Sequence, residues 1–133
     1  MKQVIVCMIF IITITSGIAQ AGQDITGEYR WNKGKKVIRM LTVTKQQGDT
    51  YLFDFYGIED QGERSQEGGR EFNAVVNNEQ VRYNKKSEKF GMGGCNIVIT
   101  FSNNIADVKG DCITYGSMQF AGMKYKKMQR KSK

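Results

Sequence analysis

The sequence predicts an all-β protein, an eight-stranded antiparallel up-and-down barrel, with a two-sheet sandwich as the alternative arrangement of the same strands. Three observations predict it. Apolar and polar residues alternate with a period of two through most of the chain, and no long stretch carries a helical period. The breaks fall at Gly and Asn, which accept the positive φ of tight turns, and Pro is absent. The connections alternate between short and long, as in a meander whose successive turns lie at opposite ends of a barrel.

Residues 1–21 read as an export signal that precedes the fold. Met1-Lys2-Gln3 is a short positive start. The apolar run over 4–14 is shorter than the roughly 20 residues a membrane-spanning helix needs. Ala19-Gln20-Ala21 has the small-x-small form of a cleavage site. The organisation that follows is a signal peptide over 1–21, a barrel domain over 22–126 and a basic tail over 127–133. The protein is expected to be exported, periplasmic or secreted, and monomeric. Of the chain's formal charge of +7, one unit is Lys2 of the signal segment and the rest belongs to the other end: Lys124, Lys126, Lys127, Arg130, Lys131 and Lys133 lie in the last ten residues without an acid.

Strands are expected over 25–31, 36–44, 50–56, 70–76, 79–84, 95–102, 105–111 and 117–126. Tyr51, Phe53 and Phe55 share one face of the third strand, and Phe72, Ala74 and Val76 share one face of the fourth. The tight turns, at Gln47-Gly48, Asn77-Asn78 and Asn103-Asn104, fall at one barrel end together with both termini. Two long loops, over 57–69 and 85–94, join the segments 33–36 and 113–116 at the other end and form an open mouth.

The stretch GGCNIVITFSNNIADVKGDC specifies its own register. A two-residue turn at Asn103-Asn104 sets Phe101 opposite Ala106, Ile99 opposite Val108, Ile97 opposite Gly110 and Cys95 opposite Cys112. Pair types alternate from the turn, so the cysteines fall on a non-hydrogen-bonded site, where Cα atoms lie about 4.5 Å apart. That separation permits a disulfide. An even cysteine pair in an exported chain is read as a structural bond between Cys95 and Cys112. Closing a loop of this length contributes on the order of 3 kcal/mol.

The first strand, ITGEYRW, resembles the Gly-x-Trp opening strand of lipocalins and other calycin-like barrels. Gly27 matches the Gly, Tyr29 stands where that family has Trp, and Trp31 lies two residues on. The resemblance implies a closed barrel, and it implies that a basic residue of the last strand, Lys124 or Lys126, packs over Tyr29. The general plan also looks like that of small exported barrels that inhibit lysozymes in bacterial periplasms, although the Ser-Gly-x-x-Tyr motif of one such group is absent after residue 21.

Catalysis is not expected. The chain has no His, which removes the usual general base and metal ligand and any Ser-His or Cys-His arrangement. Glu59, Asp60, Glu63 and Glu67 fall in the expected Gly-rich loop, where solvation keeps carboxylates ordinary. GMGG precedes a strand rather than a helix, so it does not read as a phosphate cradle. No metal or other cofactor is expected. The expected function is a non-catalytic binding protein that grips a macromolecule, a protein or an envelope polymer, through the mouth. Trp31, Lys35, Lys36, Tyr56, Lys86, Phe90 and Tyr115 are the candidate contact residues. Nucleic acid is not an expected partner, and the basic tail is read either as solvated or as touching an anionic surface. The alternative function is a lipocalin-like carrier with a small apolar ligand in the barrel interior.

Overall fold

The computed structural model describes residues 24–86, 94–111 and 113–129, with backbone alone at 84–86, 94 and 95. The signal segment 1–21, Phe90, Cys112 and the tail beyond Gln129 lie outside the described residues, as do the side chains of Lys86 and Cys95. The expected disulfide therefore lies outside them too.

Among the described residues ten strands form: β1 (Gly27–Lys33), β2 (Val37–Lys45), β3 (Thr50–Asp60), β4 (Ser65–Asn77), β5 (Gln80–Lys86), β6 (Gly94–Ser102), β7 (Ile105–Gly110), β8 (Thr114–Tyr115), β9 (Met118–Gln119) and β10 (Met123–Lys127). Eight of them close a barrel in the order β1-β10-β7-β6-β5-β4-β3-β2, and β8 and β9 make a separate small hairpin. The expected antiparallel barrel is the fold, and every pairing in it is antiparallel.

The β6–β7 hairpin has the register its sequence specifies: Ile97 opposes Gly110, Ile99 opposes Val108 and Phe101 opposes Ala106. Asn103 and Asn104 take φ of 50° and 62°, the left-handed pair a type I′ turn needs. The β4–β5 turn sits one residue later than expected. Asn78 and Glu79 have the positive φ values, and Asn77 closes against Gln80.

Two larger expectations are corrected. The segment 57–69 is not a long loop. β3 and β4 pair continuously from Thr50 opposite Val75 to Asp60 opposite Ser65, and Gln61 N–H donates to the Arg64 carbonyl across a short turn. The last expected strand, 117–126, is two pieces, β9 and β10, separated by a bend at Ala121-Gly122.

The barrel interior is occupied by side chains. Tyr29, Leu41, Phe53, Phe55, Phe72, Val81, Ile97, Ile99, Phe101 and Tyr125 are all buried there. Their rings touch in series: Phe53 stacks on Phe72 at 5.3 Å between centroids, Phe72 meets Tyr83 at 4.6 Å, and Phe55 meets Tyr125 edge-on at 6.0 Å. Such contacts add about 0.5–1.5 kcal/mol per pair to the area term. The two buried hydroxyls are satisfied, Tyr29 donating to the Ile25 carbonyl at 2.8 Å and Tyr125 to the Phe120 carbonyl at 2.7 Å.

The basic residue packed over Tyr29 is Lys127, with its ammonium 5.8 Å from the ring centroid and donating to the Asp24 carbonyl at 2.7 Å. Lys124 and Lys126, named from the resemblance, have the opposite parity on β10 and are exposed. The expectation of Lys124 or Lys126 is thus corrected to Lys127, whose parity on β10 matches that of Tyr125.

Candidate functional site

The turns 34–36 and 61–64 and the β7–β10 connection lie at one barrel end, opposite the three tight turns. This is the end the sequence assigns to an open mouth, and a cap crosses it. Ile113, Met118 and Phe120 are fully buried, and Phe120 packs on Phe55 with 5.8 Å between ring centroids. Phe120 N–H donates to the Ile113 carbonyl at 3.0 Å and Gly122 N–H to the Val108 carbonyl at 2.7 Å, which fixes the segment that carries β8 and β9.

One side chain ties the cap to the wall. Arg39 is on the inward face of β2 with Leu41 and Val43, and it is 4% exposed. Its Nε donates to the Gln119 carbonyl at 3.1 Å, its Nη2 meets Glu59 Oε2 at 2.8 Å, and its guanidinium lies 5.6 Å from the Phe120 ring centroid. The planar fork suits this triple role, which an ammonium would not fill. The hydrogen bond from Arg39 holds the Glu59 carboxyl below its ordinary pKa of 4.5, outweighing its partial desolvation.

β4 carries the second attachment. Ser117 Oγ donates to Gln66 Oε1 at 3.0 Å, and Arg70 Nε donates to the Thr114 carbonyl at 3.2 Å. The Tyr115 ring lies against Gly68, where a Cβ would sit 2.5 Å from it. Gly68 also has φ of 148°, so both the backbone angle and the contact require glycine there.

Between the β3–β4 tip and the cap is a polar cleft of about 570 Å³, lined by Glu59, Gln61, Glu63, Arg64, Gln66 and Ser117, among others. Its groups are carboxylates, primary amides, a guanidinium and a hydroxyl, a donor–acceptor mixture suited to a peptide backbone or a glycan. The Ser117 hydroxyl in it is paired with the Gln66 amide oxygen. Among the described residues no cluster of three or more His, Cys, Asp or Glu side chains is arranged to hold a metal ion.

The candidate contact residues do not all converge on this cleft. Trp31 is on the inward face of β1 at the same end, half-buried against the core. Lys35 and Lys36 are exposed in the turn beside it, where the Lys36 carbonyl accepts from Asp60 N–H at 2.9 Å. Tyr115 is in the cap. Tyr56 is elsewhere: its parity on β3 is opposite to that of Phe53 and Phe55, so it stands on the outer wall. Of Lys86 only the backbone is described, and Phe90 lies outside the described residues.

Sequence reasoning missed Arg39, Gln66 and Ser117. Arg39 carries a readable signal, a lone charge on the apolar face of VIRMLTV. Asp54 and Glu71, directly opposed on β3 and β4, were also missed. Burial pushes the Asp54 carboxyl up, and the Glu71 charge adds to the shift. Compared with family models, with curated proteins and with solved structures, the chain matches none.

Proposed function

We propose that this chain is a non-catalytic exported binding protein that grips a macromolecular partner, a protein or an envelope polymer, at the capped end of a filled barrel. One observation carries the reading. The interior is occupied by stacked aromatic side chains and the end above it is closed, while a polar cleft and an aromatic and lysine-bearing rim lie outside that closure. A rigid scaffold that presents a few convergent polar groups at one end is the usual construction of a recognition surface. The same filled interior weighs against a carrier of small apolar ligands, which needs the space that Phe53, Phe55, Phe72 and Phe101 occupy.

The test is comparative capture from an envelope extract with three forms of the full chain. These are the wild type, a rim variant (Trp31→Ala/Gln66→Ala/Ser117→Ala) and a variant of the opposite end (Thr44→Ala/Lys45→Ala). The reading requires a partner that the rim variant loses and the opposite-end variant retains. Retention by all three forms, or loss only with the opposite-end variant, sinks it.

A further inference from the structure

Outward residues of a barrel wall are ordinarily polar, and one sector of this wall is not. The register of β1 to β4 fixes its rows. Ile38 on β2 opposes Ile58 on β3, and Met40 opposes Tyr56 in the next row. All four have outward parity and are partly exposed. Beside Tyr56 the β4 position is Gly69, so one flank of the ring has no side chain against it in the register. Carboxylates border the patch on the β4 side. Glu67 opposes Ile58, and the row below Tyr56 holds Asp54 opposite Glu71. Glu67 and Glu71 are exposed.

Two like charges directly opposed across a pair of strands destabilise the sheet. Burial holds the Asp54 pKa above its ordinary value, and the Glu71 charge raises it further. A cation placed between the two carboxylates relieves it. Positive charge borders the patch on the β1 side, where Arg30 opposes Met40 and then Lys126 of β10, so the acidic margin that can take a cation is the β4 side alone. An isologous dimer through the β2–β3 sector would bring two copies of the Asp54–Glu71 pair into one interface and add like charge there, and an anionic lipid surface would be repelled by the same carboxylates.

We propose that the outer face of β2 and β3, centred on Met40 and Tyr56, is a second docking surface, and that it takes a cationic amphipathic polypeptide. The partner seats an apolar side chain against Ile38, Met40, Tyr56 and Ile58 and places lysine or arginine over Asp54 and Glu71. Tyr56 is thereby a contact residue of this surface and not of the rim.

The test uses full-length protein and two synthetic peptides, one alternating lysine with leucine and one alternating lysine with serine. Backbone and methyl shifts in two-dimensional NMR locate the binding. The lysine–leucine peptide should shift Ile38, Met40, Asp54, Tyr56 and Ile58, and should bind about tenfold tighter than the lysine–serine peptide. Asp54→Asn/Glu71→Gln should weaken it about fivefold to tenfold, and added salt should weaken it likewise. Tyr56→Thr should cost about tenfold while preserving strand propensity. Trp31→Ala, at the rim, should leave the affinity unchanged, which separates this surface from the proposed rim function. The proposal is overturned by equal affinity for the two peptides, by shifts confined to the rim or to β7 and β10, or by indifference to the carboxylate changes. Concentration-dependent shifts at these residues without peptide would assign the face to a second copy, and that also overturns it.

Discussion

Replacing Glu59 with Gln removes the charge that meets Arg39 under the cap and leaves the guanidinium 4% exposed and still held by the Gln119 carbonyl. Breaking a fully buried ion pair by removing one partner costs about 3–5 kcal/mol. The Glu59 side chain is 18% exposed, so water reaches part of the pair and the cost falls below that range, to about 2–3 kcal/mol. Arg39→Met leaves the better-solvated partner behind and also loses the bond to Gln119, and its expected cost is about the same. Because both changes break one network, the double variant should cost about 1–2 kcal/mol less than their sum. Chemical denaturation gives the total, and hydrogen exchange shows where it falls: faster exchange at Phe120 and Gly122 N–H, with β6 and β7 following only the global change. The pH dependence has a defined sign. Glu59 is an acid whose folded pKa lies below 4.5, so its contribution is present above pH 4.5 and is lost as pH falls through the folded value. The gap between wild type and Glu59→Gln should therefore close in acid. A cost under about 0.5 kcal/mol at neutral pH, the level of an ordinary surface change, would refute the latch.

Three further outcomes are expected. Tyr29→Phe leaves the Ile25 carbonyl without its donor and should cost about 1–2 kcal/mol by thermal or chemical unfolding. Burial, with a smaller contribution from Asp24, pushes the Tyr29 phenol up to about 12. Native stability should therefore fall between pH 10 and pH 12, where the unfolded chain ionises first, and alkaline difference spectra of wild type and Tyr29→Phe will show whether it does. Lys127→Met should cost about 1 kcal/mol by losing the cation–π contact and the bond to Asp24, whereas Lys124→Met should lie within about 0.5 kcal/mol of wild type. Phe55→Ala, at the junction of the Phe72, Phe120 and Tyr125 rings, should cost about 3–5 kcal/mol, and a much smaller loss would mean a loosely packed interior.

The eight-stranded barrel, the alternation of ends and the β6–β7 register were legible in the sequence because each rests on local chemistry: period-two patterning, and an Asn-Asn pair able to take positive φ. The β3–β4 extension was not. Gly57, Gly62, Gly68 and Gly69, set among charged residues, read as loop. Gly57 and Gly68 are in fact directly opposed strand residues whose missing side chains make room for the cap. A Cβ at Gly57 would meet Phe120 at 2.9 Å, and one at Gly68 would meet Tyr115. That requirement comes from a segment about fifty to sixty residues away, and no local pattern encodes it. The split of the last strand follows from the same contact, because Phe120 turns inward to pack on Phe55. Lys127 replaced Lys124 and Lys126 through parity alone: the strand that aims Tyr125 inward aims Lys127 inward too. The polar cleft was invisible for a related reason, since Gln66 and Ser117 become neighbours only when the cap closes.

The proposed function requires a barrel whose interior is filled by its own side chains. Native mass spectrometry of the full chain, purified without denaturant and then offered oleate as an apolar probe, tests this most directly. The expected spectrum is that of the polypeptide alone, before and after the probe. A copurified small molecule, or oleate bound one to one and lost on heating with the fold, would contradict a filled interior and return the carrier reading to first place.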